Sequence, residues 1–375
     1  MESDMKKEEN LPQEIALEHE YIIFEQSSMK LIKNAREEMI ENSRNEKRVY
    51  HTQEHPDALL ERAEKIANIF DLTNHQKLLC KLAIAYHDLI ILTDLPDPGN
   101  ITATIKRHRG AREGDLCGQE GNEGQSAKKA ELAMRQINES YKSTVFSEED
   151  IKIVFSSIEA TYPDTKLTTF KSDPDYEEII KINPKREGVI TWLEERQIDK
   201  GLLFFQPHLE KPLEKGELIP FEVLVMILAD LSGSGLVSRD EFALEGDKEF
   251  QELYVNIANP DKQKILLESD SEKDEALREK ASLEILKWLN IQVGFVAWQM
   301  LRIEKIIFLL IKNKQINPLV GEKLRSIFNK FENNIKDSFE RANHTDKEYL
   351  EIKENKGSKS AFAYLLDTLH FKRLD

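Results

Sequence analysis

Apolar residues recur at three-and-four spacing through most of the chain, the period of a helix surface, and strand-like alternation is hard to find. The pattern predicts helices near 12–44, 54–70, 74–92, 122–140, 148–161, 175–198, 220–236, 272–313, 317–340 and 345–371, and therefore an all-α fold. Glycines and prolines gather in a few places between these runs. Two stretches break the period. From Asp94 to Gly124, prolines, glycines and the basic run KRHRGAR read as a long loop. From Pro163 to Ile219 the composition is mixed, and an insertion with one short helix is expected. The expected organisation is a flexible start over 1–12, a helical core over 13–260 with insertions near 94–121 and 163–219, and a C-terminal helical extension over 261–375 packed on that core. No internal repeat or low-complexity tract is visible.

At 375 residues with 40% hydrophobic content, the chain can build a sizeable core. Its formal net charge of -16 argues against general nucleic-acid binding, which needs clustered Lys and Arg to release counterions. Two cysteines, Cys80 and Cys117, are too few for a disulfide framework and fit a reducing cytoplasm. The N-terminus lacks the apolar run of a secretory signal. The most apolar stretch, Trp288 to Ile311, is interrupted by Arg302, Glu304 and Lys305, so a buried helix is expected there and no membrane span. The C-terminal helices offer a core extension or a homodimer face.

Three segments carry candidate chemistry. In RVYHTQEHPDALLERAEKI, His51 and His55 stand four apart and would leave one face if the helix reached back to His51. In LLCKLAIAYHDLIIL, an apolar helix ends in the adjacent pair His87 and Asp88, and a carboxylate in such surroundings needs compensation. In PFEVLVMILADLSGSGL, Pro220 suits a helix start and Asp230 has hardly any polar face around it, so it is expected to be buried and to need a cation or a full hydrogen-bond set. Singly, each has an ordinary structural explanation: surface histidines, a chance His-Asp pair, a salt-bridged Asp. Together they supply two imidazoles and two carboxylates, a donor set suited to a hydrolytic divalent ion.

The order of these motifs resembles the HD superfamily of phosphohydrolases: a His, then a His-Asp pair, then a distant Asp on an all-helical core. The likeness is to metal-dependent members that begin Tyr-His-Asn-x-x-His, matched here by Tyr50, His51, Thr52 and His55 with Thr in place of Asn. Ala85, Tyr86, His87 and Asp88 resemble the His-Asp motif, and Asn122, Glu123, Ser126 and Ala127 its Asn-Glu-x-x-Ser-Ala. Ile158 and Thr161 look like the end of a family helix, and Asp230, Leu231, Gly233 and Gly235 resemble Asp-Leu-x-x-Leu-Gly. The likeness covers roughly 45–240. It implies a metal-dependent phosphohydrolase with His55, His87, Asp88 and Asp230 as ligands of a divalent ion (Mn, Mg, Fe, Co, Ni or Zn). It further implies His51 as general acid, Asp88 as a catalytic carboxylate, and Glu123 holding water or orienting a ligand imidazole. No His follows Thr161, which favours one firmly held ion over two. The expected substrate is a small phosphorylated molecule of the nucleotide kind. Arg107, Arg109 and Arg112, with Lys106, Lys128 and Lys129, are candidates for its phosphate; their bland reading is a solvated loop. The rival reading is a degenerate HD scaffold, a binding module with a structural metal.

Overall fold

The computed structural model describes residues 13–110, 120–169, 171, 176–196, 200–231 and 233–371. The fold is all-α, as the periodicity predicts. It runs α1 (Gln13–Asn45), α2 (Glu54–Ile69), α3 (Asn74–Tyr86), β1 (Thr93–Asp94), β2 (Lys106–Arg107), α4 (Asn122–Tyr141), α5 (Glu148–Glu159), β3 (Asp164–Thr169), α6 (Tyr176–Ile182) and α7 (Lys185–Glu195). It continues with β4 (Lys200–Phe205), α8 (Pro207–Glu214), α9 (Phe221–Leu231), α10 (Gly233–Leu236), α11 (Arg239–Leu253), α12 (Val255–Ala258), α13 (Pro260–Glu268), α14 (Glu272–Lys312), α15 (Pro318–Ile327) and α16 (Phe331–Thr368).

Helices α2, α3, α5 and α9 pack on one another, with α1 laid against α3 and α4 against α5. Their apolar stripes meet in a core that includes Leu59, Ile66, Leu79, Leu82, Ile84, Val154, Ile158, Leu224, Val225 and Leu228. Capping boxes start two of them: Thr73 with Gln76 at α3, and Ser147 with Asp150 at α5. Helix α3 stops at Tyr86, short of the expected 92. The backbone N–H groups of Ile90 and Leu92 donate to Ser126 Oγ (3.1 Å) and Asn122 Oδ1 (2.7 Å) on α4, which takes over what further helical turns would have satisfied. The chain thus turns sharply just where His87 and Asp88 stand.

Helix α14 joins two apolar clusters. Its second half, from Val293 to Leu310, belongs to the core just described. Its first half, from Ala281 to Leu289, packs with Phe250, Tyr254, Ile257, Phe362 and Leu365 from α11, α12 and α16. The charges that interrupt its apolar run are buried and paired. Glu304 accepts from Arg186 (3.0 Å), Arg325 (2.9 Å) and Asn183 (2.8 Å), Arg302 meets Glu210 (2.7 Å), and Lys305 meets Glu214 (2.9 Å). Four of these partners, Asn183, Arg186, Glu210 and Glu214, come from the 163–219 insertion, which is therefore bolted to α14. Among the described residues no helix is long and apolar enough to cross a membrane.

The structure corrects several expectations about elements. Among the described residues the insertion holds three helices and an antiparallel ribbon, in which Asp164 pairs with Phe205 and Thr169 with Lys200. Threonines in one strand and the Leu202–Phe205 run in the other suit a pleated pair. The expected helix 175–198 is two, parted at Asn183-Pro184, where Pro cannot continue the first. Helix α11 falls in a stretch that the periodicity left without an element. A second short ribbon pairs Thr93 with Arg107 and Asp94 with Lys106, so the basic run begins as a strand rather than as loop throughout.

Candidate metal centre

The turn after α3 projects His87 and Asp88 toward the N-terminal end of α2. His87 Nδ1 lies 2.8 Å from the carbonyl of Ile84; donating there, the ring keeps the lone pair of Nε2 directed away from its own helix. That Nε2 stands 3.3 Å from His55 Nε2 and 2.7 Å from Asp88 Oδ2, and Asp88 Oδ2 is 3.4 Å from His55 Nε2. A cation with bonds near 2.1 Å spaces adjacent ligands about 3.0–3.5 Å apart, so these separations are close to the edges of a coordination polyhedron. Among the described residues, His55, His87 and Asp88 form the compact donor group. Asp230 Oδ1 reaches His55 Nε2 at 3.9 Å from α9, a looser fourth member. Asp230 is half-buried at the edge of a cavity and not sealed in the core as expected.

Donor chemistry also fits a divalent ion. Two neutral-capable imidazoles and two carboxylates suit a borderline or hard cation. Among the described residues, the buried His55 Nδ1 has no hydrogen-bond partner, so the ring's position depends on Tyr50, whose ring centroid is 4.8 Å away, and on whatever its Nε2 binds. Burial disfavours charge on His87, but the Asp88 carboxylate outweighs it and lifts the imidazole to about 9. Burial likewise works against the Asp88 anion, and the surrounding imidazoles overcome it, holding the carboxyl well below its usual range. Asp230 has less compensation, and burial raises it. Of the two carboxylates, Asp230 is thus the one whose charge is least compensated by its neighbours.

His51 sits in the turn before α2, not on the helix, so the shared-face argument fails even though the two rings are only 5.9 Å apart. A carboxylate from α11 holds it. Glu252 Oε1 is 2.5 Å from His51 Nδ1, and Glu252 Oε2 accepts from the backbone N–H groups of Val49 (3.1 Å), Tyr50 (2.9 Å) and His51 (3.0 Å). Arg107 adds a bond at 3.1 Å. Burial, and then Arg107, lower His51 to about 4 against the pull of Glu252, so the imidazole is neutral at physiological pH. Its Nε2 faces Asp88 Oδ2 at 3.8 Å.

The cavity beside these residues encloses about 160 Å³, room for several waters. Arg62, Arg107 and Arg109 line it. Each is held by carboxylate: Arg62 by Glu245, Arg107 by Glu252 with Glu249 at 3.7 Å, and Arg109 by Glu123 at 2.7 Å. Glu123 therefore does not orient a ligand imidazole. It accepts from Arg109 and from the Gly110 backbone N–H (3.0 Å), anchoring the basic arm against α4. Lys128 pairs with Glu120 and Lys129 with Glu38, and neither lines the cavity. Arg112 lies outside the described residues.

Compared with protein-family models, curated proteins and solved structures, the chain matches none. The site is therefore read from its own geometry. What sequence reading missed is α11, which brings Glu245 and Glu249 to the cavity and Glu252 to His51. A signal was present: Ser238 and Glu241 form an N-cap pattern, and Ser238 Oγ does accept from the Glu241 N–H.

Proposed function

We propose that the protein is a metal-dependent phosphohydrolase that cleaves a phosphoester of a small molecule. The observation that carries this reading is the meeting of His55, His87, Asp88 and Asp230, drawn from three separate helical segments, at the edge of an arginine-lined cavity. The motif order that resembles HD phosphohydrolases supports the same reading. A divalent cation held by those four side chains would supply Lewis acidity, making water more acidic and drawing charge from a phosphoryl oxygen.

The remaining chemistry falls to the chain's own groups. With Nδ1 committed to Glu252, His51 offers Nε2 as a proton acceptor on the cavity side, and the Glu252 carboxylate stabilises the imidazolium as it forms. The same nitrogen returns the proton to the departing oxygen. A neutral resting imidazole makes His51 a relay rather than a standing acid. Arg107 and Arg109 place guanidinium groups where phosphate oxygens would lie, and their carboxylate partners hold both in position.

Turnover decides the matter. Purified protein is assayed with Mn, Mg, Ni or Co against an aryl phosphate, nucleotides and cyclic nucleotides. Hydrolysis that is abolished by His87→Ala, and by His51→Ala with metal content retained, supports the reading. Turnover no greater than that of His87→Ala under every condition would leave a metal-holding scaffold. Equal activity in His51→Ala would remove the relay.

A further inference from the structure

The charges around the cavity balance except at one residue. Each guanidinium that lines it is taken up by a carboxylate: Arg62 by Glu245, Arg107 by Glu252 and Arg109 by Glu123. Of the lining carboxylates that leaves Asp88, Asp230 and Glu249. A divalent cation at the metal centre would match the two aspartates. Glu249 remains, half-buried on α11. Among the described residues its nearest cation, Arg107 Nη1, is 3.7 Å away, too far for a hydrogen bond. Burial penalises the Glu249 charge more than Arg107 and Arg109 relieve it.

A second group faces the same space. Gln292, from α14, lines the cavity at 8% exposure, and among the described residues its amide has no hydrogen-bond partner. A buried amide left unpaired forfeits its hydration, so it calls for a polar ligand. It lies against α11 one turn from Glu249. An added Cβ at Gly246 would stand 3.1 Å from Gln292 Oε1, and Gly246 and Glu249 are three apart on one face of that helix. The two residues thus offer a carboxylate and an amide oxygen. A primary ammonium, with three donors and a positive charge, answers both. A hydroxyl would leave the charge unmatched, and a second anionic group would be repelled by it.

We infer that Glu249 and Gln292 form an ammonium subsite: the substrate is a phosphoester whose alcohol portion carries a primary amine, held here while its phosphoryl group lies at the metal centre. This rests on the hydrolytic reading of the same cavity. Arg107 bridges the two ends, with Nη2 3.5 Å from His51 Nδ1 and Nη1 3.7 Å from Glu249, so a linker of a few carbons joins phosphorus to nitrogen. Uncharged alkyl esters leave Glu249 unmatched and bind more weakly.

The test is calorimetric titration of the full chain, loaded with Mn²⁺, with 2-aminoethylphosphonate and 3-aminopropylphosphonate beside ethylphosphonate and propylphosphonate. Their carbon–phosphorus bond is not hydrolysed, so affinity is read without turnover. At least one amine binds about tenfold or more tighter than its uncharged counterpart of equal chain length. Glu249→Gln brings that ratio close to unity, and Gln292→Leu cuts it by about threefold. Equal affinity of each amine and its counterpart overturns the inference, as does a ratio that either variant leaves intact, or no binding by any of the four. The wild-type comparison decides even where a variant fails to fold. Hydrolysis is judged separately with the aryl phosphate: turnover there without an amine advantage sinks only the subsite, and an amine advantage without turnover sinks only the hydrolytic reading.

Discussion

The Nε2 atoms of His55 and His87 lie 3.3 Å apart, with Asp88 Oδ2 touching both, although the two histidines come from different helical segments. Because His87 Nδ1 is committed to the Ile84 carbonyl, its Nε2 has no proton to donate when the ring is neutral. With His55 Nε2 also unprotonated, the two nitrogens would repel unless a proton or a cation stood between them and the carboxylate. The raised His87 and the depressed Asp88 are the proton's answer to that need, and a divalent ion would answer it more fully.

Glu252 unites the His51 turn and the basic arm, so its loss is felt twice. Glu252→Ala removes the acceptor from three backbone N–H groups, His51 and Arg107, and a destabilisation of about 3 kcal/mol is expected by urea unfolding. Glu252→Gln keeps the shape and loses the charge. It should cost less stability but lower kcat by about a hundredfold, with little further loss when combined with His51→Ala. Additive losses in that double variant would separate the two residues.

Gly121 is required by close packing. A Cβ there would come within 2.4 Å of the backbone at Arg109 and Gly110, so Gly121→Ala must push the basic arm off α4. The expected cost is about 1–3 kcal/mol, together with a weaker hold of Glu123 on Arg109. A melting temperature equal to wild type would mean that the arm yields without strain.

The insertion is fastened through Glu304. Glu304→Ala strands Arg186 and Arg325 in a buried setting and should destabilise by about 3–5 kcal/mol, whereas Glu304→Gln, which keeps hydrogen bonding, should cost less. Limited proteolysis of Glu304→Ala is expected to cut first within 163–219. Cleavage elsewhere, with the insertion intact, would show that α14 does not depend on this anchor.

Part of the stability should vary with pH through Asp150, remote from the cavity. Burial works against its charge, yet hydrogen bonds from His75 and Ser147 at the start of α5 more than offset this and lower its pKa. A carboxyl lowered in the folded state stabilises above its unfolded value, near 4, and that contribution disappears as pH falls through the folded value. Asp150→Asn should therefore be less stable than wild type by about 1 kcal/mol at pH 7 and equal to it in strong acid. A deficit that persists undiminished at low pH would assign the effect to packing.

The helical fold and the histidines and aspartates of the centre were legible because their signals are local: a three-and-four period, a His-Asp pair at a helix end, an Asp ringed by aliphatics. The Glu252 to His51 bond spans some two hundred positions, and nothing in a charged helix such as EFALEGDKEFQEL marks which glutamate turns inward. Glu123 is expected, from its place in a motif, to hold water or orient a ligand imidazole; its partner among the described residues is Arg109, set by how the basic arm folds back on α4. The ribbon of the insertion depends on pairing between strands thirty residues apart, which a window over one strand cannot register. Asp230 seemed buried from its helix alone, but the cavity opens beside it only when α11 and α14 are in place.

The most direct test of the metal centre is elemental analysis of gently purified protein after dialysis with Mn²⁺, run beside His87→Ala and Asp230→Asn of matched folded content. The account predicts one divalent ion per wild-type chain, none retained by His87→Ala and weakened retention in Asp230→Asn. A wild-type chain without bound ion, or His87→Ala holding as much as wild type, would contradict it.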